Sequence, residues 1–290
     1  MEKPVILIIA DISGYTRFVA SNIETTAHSQ IVIRELIETI IRQVEIPLEV
    51  AKLEGDAVFL YSVKDDSGMM RWDEKKRKIG EKLITFFEAF AQKLVQLTAS
   101  TLCECDACKN IESLKLKIIV HSGTAVFQRI GRFDELGGLD PIVVHRLLKN
   151  SLQSHEYILM TAAAYNEIEF PGQIKVHRGT ERYDDIGAVK TLVYYPTSIQ
   201  ENHRLHLKKD YDATSLSSRF NAALRWSWNL SIESILISFG LKKLQEGMGI
   251  RGQFKFLPSF WLGVYLLVTF PFSFSVNALK SYVKLKRSRV

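Results

Sequence analysis

Two aspartates sit where the chain could do chemistry. Asp11 ends the apolar run VILIIA (5–10) and precedes a Ser13-Gly14 turn. Asp56 follows Glu54-Gly55 within LEVAKLEGDAVFLY (48–61). One such carboxylate serves most simply as a surface group or helix cap. Two that converge at one sheet edge give hard oxygen ligands for a divalent cation. The Ser13-Gly14 turn adds backbone N–H groups that can approach phosphate closely, because Gly lacks a Cβ. The pair, each member with a glycine nearby, therefore points to a metal and polyphosphate site.

The elements that would position these residues follow from hydrophobic patterning. VILIIA reads as a buried strand and residues 24–43 as a helix, with Ile31, Ile33, Leu36, Ile37, Ile40 and Ile41 at helical spacing. LEVAKLEGDAVFLY reads as a hairpin turning at Glu54-Gly55. Residues 74–99 form an amphipathic helix, with the Phe86/Phe87/Phe90 stripe as core and Asp73–Lys78 as its solvated start. LKLKIIVHSG (114–123) and TAVFQRI (124–130) read as two strands. A Gly-Gly loop then leads to a helix over 141–152 opened by Pro141. EYILMT and AVKTLVYYP read as strands. Hairpins alternating with crossover helices predict an α+β fold of ferredoxin-like type.

With these motifs in place, the chain resembles the class III nucleotide cyclases, the adenylate and guanylate cyclase homology domains. DISGYT (11–16) looks like their D-I-x-G-F/Y-T opening, and KLEGDAVFL (52–60) like their K-x-x-G-D hairpin. HSGTAVFQRIG (121–131) and HRLLKNS (145–151) resemble the later hairpin and the arginine-bearing helix. The likeness runs from about residue 4 to 196. Together with the CxCxxC stretch, GLDPIVVHRLLKN also looks like a bacterial cyclase-like subfamily of uncharacterised activity.

The resemblance implies roles. Asp11, Asp56 and the Ile12 carbonyl would bind two Mg²⁺ or Mn²⁺ ions. Ser13, Gly14, Tyr15 and Thr16, with Ile12, would hold the β- and γ-phosphates through backbone amides. Lys52 would meet a purine acceptor, partnered by an acid near Asp134, Glu135 or Asp140. Arg146 would stabilise charge on the α-phosphate as the ribose 3′-oxygen attacks. Such sites form between two protomers, so a homodimer is implied, with a nucleoside triphosphate as substrate and a cyclic 3′,5′-monophosphate as product. Two positions depart from the pattern. Ile142 replaces the asparagine that orients the ribose, and Asp184 falls where a lysine grips the terminal phosphate. The alternatives are a nucleotide-binding regulatory module with impaired turnover, and a membrane-tethered interaction protein that kept the fold.

Cys103, Cys105 and Cys108 could supply three thiolates to Zn²⁺, with His121 or a partner chain as the fourth ligand; the plainer reading is a loop of reduced thiols. Three clustered cysteines argue against a disulfide framework and for a reducing compartment. His121 reads as a strand residue and His145 as a helix-face residue.

The formal charge of +6 over 290 residues is uneven. Residues 203–290 carry 14 Lys/Arg against 4 Asp/Glu, leaving 24 against 28 for residues 1–202. The expected organisation is a cyclase-like domain over 1–200 and a basic helical tail over 201–290. Within that tail, residues 256–279 are uncharged and flanked by basic residues. Pro258 and Pro271 interrupt the segment, and Trp261 and Tyr265 suit an interface. The expectation is a cytoplasmic domain held at the inner face of an anionic membrane by a re-entrant or interfacial segment more than a single span, with packing of the tail on the domain or its mate as the alternative. The greasy centre of the tail argues against nucleic acid as its partner. MEKP runs straight into a strand, so no secretory leader is expected.

Overall fold

The computed structural model describes residues 1–20, 26–66, 70–100 and 106–196, plus isolated helical positions between 221 and 232. The apolar/basic segment 256–279 and the cysteines Cys103 and Cys105 lie outside the described residues. Among the described residues no helix is long and apolar enough to cross a membrane.

The described chain forms two compact units. The first comprises Met1–Gly14, Ile37–Ala91 and Lys115–Asn202. It is built on a sheet of eight strands: β1 (Glu2–Ser13), β2 (Glu49–Glu54), β3 (Ala57–Val63), β4 (Lys115–Ile130), β5 (Phe133–Gly137), β6 (Tyr157–Thr161), β7 (Val176–Tyr183) and β8 (Gly187–Tyr194). The spatial order is β2-β3-β1-β4-β6-β8-β7, with β5 paired to β4. β1 lies between antiparallel neighbours, β3 and β4. Val5 to Ala10 are all wholly buried, which is why this strand reads as an unbroken apolar run rather than an alternating one. β4 and β6 run parallel, joined through helix α5 (Leu139–Leu147). Val143, Val144 and Leu147 of α5 join Val5, Leu7, Ile9, Phe59 and Ile119 in one buried cluster.

Helix α2 (Thr26–Arg42) and helix α3 (Trp72–Ser100) form as the apolar spacing predicts. Phe86, Phe87 and Phe90 of α3 are buried to within 1%. The described part of the second unit lies in Tyr15–Leu36 and Gln92–Leu114, with the isolated positions between 221 and 232. It holds α1 (Tyr15–Ala20), α4 (Asp106–Lys109) and the neighbouring ends of α2 and α3. Lys93 and Glu35 form a 2.6 Å ion pair within it.

The ferredoxin-like α+β expectation holds, and three local expectations do not. LKLKIIVHSG and TAVFQRI form one continuous strand, β4, because Gly123 lies opposite Val5 in the ladder and makes no turn. A Cβ on Gly123 would come within 2.1 Å of the Asp140 carboxyl carbon, so this glycine makes room for a side chain. The expected Gly-Gly loop begins with a short strand, β5, paired with the end of β4. The α5 helix starts at Leu139 and ends at Leu147, not 141–152, with Gly138 as its N-cap and Pro141 inside the first turn. β7 and the short helix α6 (Ala162–Glu167), capped by Thr161, had no distinct periodic signal.

Candidate functional site

The two aspartates meet. The Ile12 N–H of β1 donates to the Asp56 carbonyl at 3.2 Å, tying the β2–β3 turn to the strand that carries Asp11. That turn needs Gly55, whose φ of +69° is unfavourable for a side-chain-bearing residue. Asp11 lies opposite Ala57 on one side and Lys117 of β4 on the other. Burial is the main cause that raises the Asp11 carboxyl above its usual range, and Lys117 opposes it. Burial, then the negative charge of Asp11, push Asp56 up to about 7. The fold thus forces two half-desolvated carboxyls together.

Lys117 is the residue that sequence reasoning missed here. Its Nζ lies 3.0 Å from Asp11 Oδ2, with only 20% and 14% of the two side chains exposed. The Nζ also reaches the Leu148 carbonyl at 3.5 Å. L-K-L-K shows a lysine on an alternating strand, but only the β1–β4 register places it opposite Asp11.

Among the described residues no group of three or more His, Cys, Asp or Glu side chains surrounds one point. The donor set is therefore two carboxylates. That suits a hard divalent ion completing its shell with water and phosphate oxygens. Ser13 ends β1 and Gly14, at φ +90°, makes the turn that follows. Tyr15 and Thr16 begin α1.

A second network surrounds Lys52. Its Nζ lies 3.1 Å from Glu54 and 3.4 Å from Glu135. Burial pulls the Lys52 pKa down, but these two carboxylates outweigh it and raise it. Glu135 is thus the acid that meets Lys52. Asp134 lies opposite Arg129 in the β4–β5 ladder. Asp140 is engaged elsewhere: it accepts from the Thr124 N–H at 2.6 Å and from His121 Nε2 at 2.9 Å. These partners outweigh burial and hold its carboxyl below the usual range. The Thr161 hydroxyl meets the other His121 nitrogen at 3.0 Å.

His145 joins α5 to the β2–β3 hairpin. Its Nδ1–H donates to the Pro141 carbonyl at 2.6 Å and its Nε2–H to Glu54 at 2.9 Å. Two acceptors require both ring protons, and the Glu54 bond is the largest cause of a raised pKa. Burial would raise Glu54, but His145 and Lys52 hold it low. Arg146, one residue on, pairs with Asp185 of the β7–β8 turn at 2.5 Å. A cleft of about 460 Å³ opens beside Glu135, lined by Val50, Tyr61, Phe127, Arg129 and Leu136 among others. Cys108 is buried in α4.

Comparison with known proteins bears on the fold. The family model "Protein of unknown function (DUF2652)" matches residues 33–157. An uncharacterized protein of Mycobacterium tuberculosis is 30% identical over 127 residues, covering 44% of this chain and 56% of that protein. Among solved structures, the adenylyl cyclase CyaB from P. aeruginosa superposes with a TM-score of 0.51 at 14% identity, covering 67% of this chain and 94% of that one. The fold is that of the nucleotide cyclase homology domain. A bacterial light-regulated adenylyl cyclase is also similar, with a TM-score of 0.49 at 17% identity, over 71% of this chain and 58% of that one. This chain therefore spans little more than half of the mycobacterial relative and of the light-regulated enzyme.

Proposed function

We propose that the cyclase-like domain binds a nucleoside triphosphate with Mg²⁺ or Mn²⁺ and closes it to the cyclic 3′,5′-monophosphate at a homodimer interface. One observation carries this reading: the fold brings Asp56 beside Asp11, where burial and then the charge of Asp11 disfavour its ionisation. Lys117 already offsets part of that cost at Asp11, and a divalent cation would offset the charge of both carboxylates. Asp11, Asp56 and the Ile12 carbonyl would hold the metal, which supplies positive charge to polyphosphate oxygens when bound. The chain's own residues do the rest. The Ser13-Gly14 turn leads the backbone toward the phosphates. Lys52 donates to an acceptor on the base while Glu135 accepts from its amine or ring N–H. Arg146 offers a guanidinium to the reacting phosphate.

Exposed apolar side chains support the dimer. Ile130 and Phe133 at the β4–β5 tip are 57% and 58% exposed, and Leu139 and Ile142 at the start of α5 are 64% and 49% exposed. Side chains of this kind on neighbouring elements suit a protein interface. Mixing an Asp11→Ala chain with an Arg146→Ala chain tests a shared site. Each alone should be inactive, and the mixture should regain activity if heterodimers form and the site is interfacial; inactive heterodimers of folded chains would reject it.

A second reading has its own support. Ile142 offers no hydrogen bond to a ribose, and Asp184 and Asp185 bring negative charge where the resemblance implies a phosphate-binding lysine. A nucleotide-binding module with impaired turnover fits those departures. We also propose that residues 256–290 hold the protein on anionic membranes. Flotation of the full chain on acidic liposomes tests this, and a full-length protein that ignores them would end it.

A further inference from the structure

Arg146 is already occupied by an anion of its own chain. Asp185 sits in the turn between β7 and β8, and its carboxylate lies 2.5 Å from the Arg146 guanidinium. The contact is built in, because the β7–β8 hairpin is fastened to the segment after α5 at two further points. The Glu181 carboxylate accepts from the Ser151 N–H at 3.0 Å and from its hydroxyl at 2.8 Å. The Tyr183 hydroxyl donates to the Lys149 carbonyl at 3.4 Å. Glu181 is 8% exposed, so the anchor is buried while the turn beyond it reaches solvent.

We propose that Asp185 is an intramolecular competitor for Arg146, a carboxylate standing where an oxyanion of the ligand must go. This rests on the reading of Arg146 as a phosphate-binding residue. A guanidinium binds carboxylate and phosphate through the same planar fork, so the two exclude each other. Burial separates a competitor from a permanent support. The Arg146 and Asp185 side chains are 49% and 43% exposed, against 20% and 14% for Lys117 and Asp11. A pair so open to water is weak and readily exchanged. A more highly charged phosphate then displaces Asp185, and the turn sets a threshold against weakly charged anions. Asp184 beside it adds negative charge that works in the same direction.

The test is calorimetric titration of the full chain with Mn²⁺ and ATP, and separately with inorganic tripolyphosphate. Asp185→Asn keeps the shape and removes the charge. It should tighten both ligands by roughly two- to fivefold, the scale of an exposed ion pair. Asp184→Asn should change affinity less than twofold. In an Arg146→Gln background the Asp185→Asn gain should vanish. An Asp185→Asn protein that binds ATP equally or more weakly would make Asp185 a support for Arg146 and overturn the proposal. An equal gain in the Arg146→Gln background would reduce it to general charge repulsion and also overturn it. If folded wild type and every variant bind neither ligand, both this proposal and the nucleotide reading fail. Wild-type binding that Asp185→Asn does not tighten removes this proposal alone.

Discussion

Asp56→Asn should stabilise the metal-free protein and abolish metal binding at the proposed site. The carboxyl is held at about 7 against an ordinary value near 4, by burial first and the charge of Asp11 second. Because the folded state binds this proton more tightly than the unfolded chain, the stability it contributes is full below pH 4. It is lost as pH rises toward 7. A shift of about three pH units is worth roughly 4 kcal/mol at 1.36 kcal/mol per unit. The side chain is only partly buried, so solvent screening cuts this to about 2 kcal/mol. Asparagine keeps the shape of the neutral acid without the charge. In EDTA at pH 8 the variant should therefore gain about 2 kcal/mol in urea unfolding, or roughly 4–8 °C in Tm. The gain should fade toward pH 4. With saturating Mn²⁺ and nucleotide the order should reverse, since only wild type is stabilised by the bound ion. An Asp56→Asn protein that is less stable than wild type in EDTA at pH 8 would refute the reasoning. It would mean that the carboxylate is satisfied by the protein itself.

Lys117→Met leaves Asp11 buried beside Asp56 with no cation, so the metal-free protein should lose about 1–3 kcal/mol at pH 8. Mn²⁺ should restore more stability to this variant than to wild type, measured by thermal unfolding with and without the ion, and unchanged stability would remove Lys117 from the site. His145→Gln should cost roughly 1 kcal/mol where His145 and Glu54 are both charged. The His145 contribution is full below about pH 6.5 and lost as pH rises through its raised pKa; the Glu54 contribution is full above about pH 4.5 and lost as pH falls through its lowered one. The wild-type advantage in urea midpoint should therefore peak between about pH 4.5 and 6.5, and a pH-independent difference would deny the pair its charge.

What was readable in the sequence depended on how local each signal is. The Asp11 strand end and the Asp56 hairpin announce themselves within a dozen residues, through one apolar run and one Gly turn. Lys52 travels with the same hairpin. Lys117, Glu135 and Asp185 are different, because their roles come from register and crossover. Lys117 meets Asp11 only because β4 pairs antiparallel with β1 at that offset. Asp185 meets Arg146 only because the β7–β8 hairpin folds back over the end of α5. Ser122-Gly123 misled for a related reason. Glycine there serves a close approach by Asp140 from another element, and in sequence that looks the same as a turn. Asp140 likewise carries the charge expected of a base-reading acid, but His121 and Thr124 already hold it.

The central claim is that Asp11 and Asp56 serve metal-dependent nucleotide cyclisation. Its most direct test is incubation of the purified full chain with Mn²⁺ and ATP or GTP, with mass spectrometry of the products and Asp11→Ala and Asp56→Ala run beside it. The account predicts a cyclic 3′,5′-monophosphate and pyrophosphate from wild type, lost in both variants and on adding EDTA. Linear nucleotide recovered unchanged from folded, dimeric, Mn²⁺-loaded wild type would contradict it.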